Sequence, residues 1–354
     1  MSLHPLPARD ALQQLAQFSA VIDARTEDEF ALDHLPGAIN WPSLRNAERI
    51  EVGTIYKQVS AFEAKKLGAG LVAANIAQHI AREVRQLPRD WQPLVYCWRG
   101  GKRSGSLALA LSEIGFRVTL VEGGYKATRA ALLDDIPLRV APLAFKVICG
   151  PTGSGKTRLL NALAKAGAQV LDLEALANHR SSVLGLIPGR PQPSQKRFDT
   201  LIWETLGAFD PSRPVYVESE SKKVGNVTVP AVLMDAMRAS PCLRLDLSTD
   251  ERVALLLEDY DLFVKDAALF CARLDALTHQ RGRAVVEQWK ALATAGNFEP
   301  VVRELLTLHY DPGYATSTRR NFSQFDSAPV LTPDNRSDAA MLATAHTLLE
   351  GSAT

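Results

Sequence analysis

Two short stretches of this chain gather side chains able to do chemistry. The first is Tyr96-Cys-Trp-Arg-Gly-Gly-Lys-Arg-Ser104. It sets one thiol, Cys97, ahead of three cations, Arg99, Lys102 and Arg103, and around two adjacent glycines, Gly100 and Gly101. Glycines in such a turn let successive amide N–H groups face inward as an anion nest. Those amides, the cations and the start of a following helix all favour thiolate over thiol. Trp98 and Ser104 complete the turn. This is the setting of a nucleophilic sulfur that receives an atom from an anionic donor.

The second stretch is Gly150-Pro-Thr-Gly-Ser-Gly-Lys-Thr157. It matches GxxxxGK[ST] in full, after a strand-like run and before a helix-like one. The amides of Gly153, Ser154, Gly155, Lys156 and Thr157 are expected to wrap a diphosphate, with Gly150 and Thr152 shaping the turn. Lys156 should reach the terminal oxygens, and the Thr157 hydroxyl can hold Mg²⁺. The motif specifies a diphosphate and leaves open what is attached to it. An acidic partner for the cation belongs at the end of a neighbouring strand, where Glu218 and Asp172 are the candidates.

The elements that must position these turns follow an α/β pattern. Short apolar runs at Ala20–Asp23, Pro93–Tyr96 and Val118–Val121 read as buried strands, and Ser104–Ile114 reads as a helix. The runs at Phe145–Cys149, 170–172, Val215–Glu218 and 242–247 read as a second set of strands, with a helix over 156–166. From Thr249 to His309 the pattern is helical, in segments 250–260, 265–278, 284–295 and 300–308. Two prolines in Ile136–Pro142 suggest a linker, dividing the chain into domains 1–138 and 143–354. Residues 178–198 read as a long functional loop.

Composition narrows the class. The chain has 354 residues, 46% apolar and 22% charged, with a net charge of +1. These values exclude collagen-like, disordered and disulfide-scaffold readings. No apolar run approaches a membrane span, and the N-terminus has no basic start followed by an apolar core, so no secretory signal is expected. Cys97, Cys149, Cys242 and Cys271 form no CxxC pair and no metal spacing, which fits reduced thiols in the cytoplasm. Bulk charge does not make a basic nucleic-acid module, so any RNA contact must use local clusters. The basic pairs are Lys196/Arg197, Lys222/Lys223, Arg281/Arg283 and Arg319/Arg320.

The Cys97 turn resembles the active-site loop of rhodaneses. Asp23-Ala-Arg25, Glu29-Phe30 and Asp33-His-Leu-Pro-Gly-Ala-Ile-Asn40 resemble their opening stretch, in which Asp23, Arg25 and His34 read as structural supports. Joined to a P-loop domain, the whole resembles the tRNA 2-selenouridine synthase family. Softer matches lie at Val52–Lys57, Gln192–Lys196, Val217–Ser221 and His309–Pro312. The resemblance implies a rhodanese-like α/β domain followed by a P-loop NTPase-like parallel-sheet domain with a helical C-terminal part. It implies a transferase acting on wobble 2-thiouridine in tRNA: geranyl diphosphate alkylates the sulfur, and selenium from selenophosphate then replaces the geranylthio group. Cys97 would carry selenium as a selenosulfide while its turn holds the selenophosphate. No tightly bound cofactor is implied beyond Mg²⁺, selenophosphate synthase is a candidate partner, and no membrane is involved. Arg180, Arg190, Lys196, Arg197, Arg319 and Arg320 are the candidate tRNA contacts, with Trp98 beside the sulfur as a stacking face. The insert Val52–Gly70, foreign to ordinary rhodaneses, is expected to face the second domain or the RNA. Two alternatives stay open: a tRNA sulfurtransferase or rhodanese coupled to an ATP-using kinase domain, and a nucleotide-gated RNA-binding scaffold.

Overall fold

Runs of four or five apolar residues with turn residues on both sides produce strands buried on both faces, which favours parallel sheets covered by helices. The computed structural model describes residues 3–180 and 189–351, except for the side chains of residues 262, 263 and 315. Two compact units emerge, Met1–Leu138 with Pro193–Glu204, and Arg139–Gln192 with Thr205–Thr354.

The first unit holds β1 (Leu3–Leu6), β2 (Ala20–Asp23), β3 (Ala38–Asn40), β4 (Pro93–Tyr96) and β5 (Val118–Val121) in the order β1-β5-β4-β2-β3. All pairings are parallel. Register pairs Ile22 with Val95 and Asp23 with Tyr96, so Arg25 and Cys97 leave the sheet at the same edge. Helix Lys102–Ile114 buries Ser104, Leu107, Ala108, Leu111 and Ser112, the face that helical spacing predicts, and ends on Gly115 in the left-handed region. Its core partners include Ile22, Trp41, Trp91, Val95 and Phe116. Beyond β3, the 52–70 insert lies on two consecutive helices, Asn46–Gln58 and Ala61–His79, which leave Ile50, Tyr56, Val59 and Phe62 exposed.

Two expectations change here. The two units do divide between Leu138 and Arg139, but the segment is no irregular linker, because one helix runs Gly124–Val140 with Pro137 inside it. Leu132, Ile136 and Val140, four apart, are all buried, and their packing outweighs the hydrogen bond that proline removes. The loop expected over 178–198 gives way to helix Gln195–Gly207, and residues 181–188 lie outside the described residues. The start of that helix is fastened to the first unit. Arg129 pairs with Asp199, Thr200 Oγ1 donates to Asp33 Oδ2 at 3.1 Å, and Trp203 Nε1 donates to Asp135 Oδ2 at 2.8 Å.

The second unit holds β6 (Phe145–Cys149), β7 (Gln169–Leu171), β8 (Val215–Glu218), the antiparallel pair β9 (Lys223–Val224) and β10 (Val227–Thr228), β11 (Cys242–Leu245) and β12 (Val330–Leu331). Its main sheet is parallel in the order β12-β11-β6-β8-β7, which places β6 at the centre and β8 beside it. The helical stretch after Thr249 is present but divided. In place of one helix over 265–278 the chain restarts at Asp266, whose carboxylate accepts from the Leu269 N–H at 2.9 Å and caps the helix Ala267–Leu274.

One interaction in the first unit has a measurable consequence. Arg25 and Asp23 are both fully buried and paired at 2.6 Å, and Arg25 Nη2 also donates to the Asp33 carbonyl at 2.6 Å. Removing one member of a buried pair leaves the other charge uncompensated, at a cost of about 3–5 kcal/mol. Arg25→Ala is therefore expected to lower unfolding stability by about that amount in a denaturant titration. A loss below about 1 kcal/mol, the size of a surface pair, would show that the pair bears no such weight.

Candidate active site

Cys97 follows the fully buried β4 directly and is itself buried. The Ser104 hydroxyl, one turn into the next helix, donates to its sulfur at 3.0 Å. Behind the turn lies the Gly123-Gly124 corner after β5. A Cβ on Gly124 would stand 2.2 Å from the Cys97 carbonyl oxygen and 2.4 Å from Gly100 N, and φ there is +56°. Only glycine lets the two turns approach this closely. The Tyr125 and Lys126 amides then donate to the carbonyls of Cys97 and Trp98, at 2.8 and 3.0 Å.

Below the turn, Arg25 stacks 3.9 Å from the Tyr125 ring, and Asn40 Nδ2 bridges the carbonyls of Asp23 and Arg25. His34 stacks on Phe30 and bonds its carbonyl through Nδ1, consistent with a supporting role. Arg103 pairs with Glu29 at 2.7 Å. Burial alone would raise the Glu29 carboxyl, but Arg103 outweighs it and holds the group below its ordinary value. Arg99 and Lys102 remain exposed at the mouth. A further cation joins them from the segment 193–204: Lys196 Nζ lies 5.5 Å from the Trp98 ring and 6.0 Å from that of Tyr125. Arg129 Nη1 holds the Lys196 carbonyl at 3.0 Å.

In the second unit the turn 150–155 links β6 to helix Lys156–Lys165. A Cβ on Gly150 would meet Ser154 Oγ at 2.4 Å and the Leu245 carbonyl at 2.8 Å, so the turn is pressed against β11. Lys156 Nζ donates to the Gly150 carbonyl at 2.8 Å, and the Ser154 amide donates to the Pro151 carbonyl at 3.1 Å. The Ser154 hydroxyl is fully buried and without a hydrogen-bond partner among the described residues. Arg252 braces the turn, donating to the Thr152 carbonyl and, bidentately, to Asp311.

Thr157 Oγ1 donates to Glu218 Oε1 at 3.0 Å, and carboxylate oxygens of Glu174, Glu218 and Glu220 lie within 4.8 Å of one another. Burial first, then Glu174, Glu220 and Asp172, push the Glu218 carboxyl well above its ordinary range, against the pull of Lys156. Burial opposes the charge on Lys156, yet Glu218 and its acidic neighbours keep that ammonium more firmly protonated than usual. These groups line a cleft of about 610 Å³ together with Tyr314, whose hydroxyl accepts from the Gly150 N–H. Three carboxylates and a hydroxyl form a hard oxygen set of the kind that suits Mg²⁺.

The pattern of the tRNA 2-selenouridine synthase AAA domain matches residues 143–269, and that of the rhodanese-like domain matches residues 8–131. A tRNA 2-selenouridine synthase of Nitrosomonas europaea is 39% identical over 68% of this chain and 63% of its own length. The one from Alcanivorax borkumensis is 32% identical over 86% of this chain and 91% of its own. That of Aeromonas salmonicida is 33% identical over 83% and 86%. The chain belongs to the tRNA 2-selenouridine synthase family.

In this family member the residues expected at the two turns do assemble as two sites, each within its own unit. Of the two acidic candidates, Glu218 faces Thr157, while Asp172 is engaged in capping the short helix Leu173–Leu176 through the Ala175 N–H at 2.8 Å. Glu220 lies in the stretch Val217–Ser221 that the sequence singles out, whereas Glu174, Arg252 and Tyr314 escape the sequence reading because they come from distant segments. Lys196 and Arg197 sit in the first unit rather than at the strand ends of the second, and Arg197 Nη1 donates to the His34 carbonyl at 3.2 Å. Arg180 donates to the Asp259 carbonyl and stacks 4.6 Å from the Tyr260 ring. Arg190 is exposed, as are Arg319, paired with Asp326 at 2.9 Å, and Arg320. No helix among the described residues is long and apolar enough to cross a membrane.

The acidic cluster predicts a linked effect of pH and cation. A carboxyl whose pKa is raised on folding contributes stability that is whole below its unfolded value and is lost as pH climbs through the folded one. A cation held by the folded cluster offsets that loss. The rise in melting temperature on adding Mg²⁺ should therefore be larger near about pH 8 than near about pH 5.5. Glu218→Gln should abolish most of the difference. Calorimetry showing the same Mg²⁺ shift at both values, or none, would count against a cation at this cluster.

Proposed function

We propose that this chain converts 2-thiouridine at the tRNA wobble position into 2-selenouridine by way of S-geranyl-2-thiouridine. The observation that carries the reading is the pairing, in a member of this family, of a sulfur-bearing anion turn with a separate diphosphate turn. In the first step the thiouridine sulfur attacks C1 of geranyl diphosphate. The C1–O bond breaks, diphosphate leaves with the electron pair, and the base loses its N3 proton. Lys156 and the amides of its turn meet the charge that develops on the leaving oxygens. Glu174, Glu218, Glu220 and Thr157 are the residues that would hold Mg²⁺, which supplies further charge neutralisation when bound.

Alkylation turns the sulfur into a good leaving group. In the second step selenium bonds to C2 of the base and geranylthiol departs with a proton, while water takes the phosphoryl group of selenophosphate to phosphate. Cys97 lies against the selenium of the donor, which stays at the selenide level throughout, N3 regains its proton, and Arg99, Lys102 and the turn amides hold the anionic donor. The wobble base is single-stranded in its loop, so it can be splayed onto an aromatic face such as Trp98.

Mass spectrometry of tRNA nucleosides, after incubation with geranyl diphosphate and then selenophosphate, tests the sequence of steps. Cys97→Ala should stop selenium incorporation and let S-geranyl-2-thiouridine accumulate. Lys156→Ala should slow geranylation on the order of 100-fold. Full selenation by the first variant would remove Cys97 from the pathway. Undiminished geranylation by the second, with loss of an ATP hydrolysis activity, would favour the kinase reading.

RNA binding gives a separate handle. Lys196, exposed and beside Trp98, is placed to neutralise a phosphate next to the selenium turn. Lys196→Ala should flatten the slope of log affinity against log salt by roughly 0.7, the single-strand value for one contact. Arg319→Ala should change it less, because Asp326 already compensates that charge. Filter binding in which the two variants exchange these effects would move the RNA path to the C-terminal helix.

A further inference from the structure

The diphosphate cleft has an apolar extension. Next to Thr152, a pocket of about 50 Å³ opens among the helices that follow Thr249. Of its eleven lining residues, ten are aliphatic or aromatic, and the remaining one is Thr152 of the diphosphate turn itself. Leu256 of helix Thr249–Asp259, Phe270, Val302 and Leu306 form its walls. Leu256, Tyr260 and Tyr310 line both this pocket and the larger cleft, so the two spaces share a boundary.

The backbone is adapted to that boundary. Helix Phe298–Glu304 passes into a π-helical turn, Leu305–Tyr310, before the helix Asp311–Asn321. The wider turn lets Leu305 and Leu306 face the apolar pocket while His309 and Tyr310 reach the polar cleft. Turns of this kind often mark functional positions. His309 Nδ1 accepts from Arg281 Nε at 3.1 Å, and burial first, then Arg281, lowers its pKa.

A nucleotide base needs polar groups beside its sugar and ring edges. This pocket offers carbon walls on nearly every side. A recess walled almost wholly by carbon favours apolar guests over polar ones. We infer that the pocket receives the far end of an isoprenoid chain whose diphosphate lies in the turn 150–157. Its volume suits the branched end of a chain and not a whole one, so the carbons nearer the diphosphate lie along Leu256, Tyr260 and Tyr310. The inference rests on the reading of the P-loop as a prenyl diphosphate site and adds where the chain goes.

Calorimetric titration of the full-length protein with Mg²⁺ and three probes tests it: geranyl diphosphate, inorganic pyrophosphate and ATP. The parent should bind geranyl diphosphate at least tenfold more tightly than pyrophosphate. Val302→Trp, which fills the pocket from a half-buried position, should abolish that preference and leave pyrophosphate affinity within twofold. Val264→Glu, at a lining position already 40% exposed and so tolerant of a charge, should do the same without a folding defect. If the parent prefers geranyl diphosphate and both variants keep the preference, the chain lies elsewhere and the inference fails while the function stands. If the parent shows no preference, or prefers ATP, the prenyl reading of the P-loop falls along with it.

Discussion

A parallel sheet delivers every strand to one edge with the same polarity, and the helix that follows starts there with amide N–H groups that have no partner in the helix. Both sites of this protein are built on that fact. Cys97 leaves β4 and Gly150 leaves β6, each strand central in its five-stranded sheet and flanked on both sides. A turn at such a place is held by its neighbours on either hand, so its amides keep their direction. The close approach of Gly124 to the Cys97 carbonyl, and of Gly150 to Ser154 and Leu245, shows how little room either turn has to move.

Electrostatics then sets the two apart. In the first unit three carboxylates are matched by guanidinium groups, Asp23 by Arg25, Glu29 by Arg103 and Asp199 by Arg129. Arg99, Lys102 and Lys196 are left as exposed positive charge around one sulfur. An anionic donor is drawn to such a place. In the second unit three carboxylates cluster beside Lys156 and Thr157, and negative charge is in excess. Burial raises the Glu218 carboxyl because its neighbours are acidic as well as apolar. A divalent cation held there would relieve this excess and would add charge for an anion that the cluster alone would repel.

The two turns also differ in their access to water. Cys97 is buried, with the Ser104 hydroxyl as its hydrogen-bond donor, so the sulfur is held in place and shielded at once. The P-loop cleft is wide and polar, with its carbon-walled extension lying beyond Leu256 and Tyr310. A substrate with a doubly anionic head and an apolar tail would be desolvated there in two stages, each by surface of matching character.

The chemistry-bearing turns were legible in the sequence because each is local: eight or nine consecutive residues whose glycines, cations and nucleophile need no distant partner to be recognised. The strands before and after them were legible for a similar reason, since a short apolar run between turn residues reports burial on both faces. Positions set by tertiary neighbours were not. Glu174 comes from the short helix after β7, and Arg252 and Tyr314 from the helices after β11, and they meet near the turn 150–157 only because all these strands end at one edge of the same sheet. Periodicity tells which face of a helix is buried, never against what. Pro137 reads locally as a break, yet Leu132, Ile136 and Val140 bury one continuous stripe and the helix runs on. Lys196 reads as part of the second domain by chain order. Asp199, Thr200 and Trp203 tie it to the first, because hydrogen bonds and ion pairs are chosen by distance in space, to which the order of residues is blind.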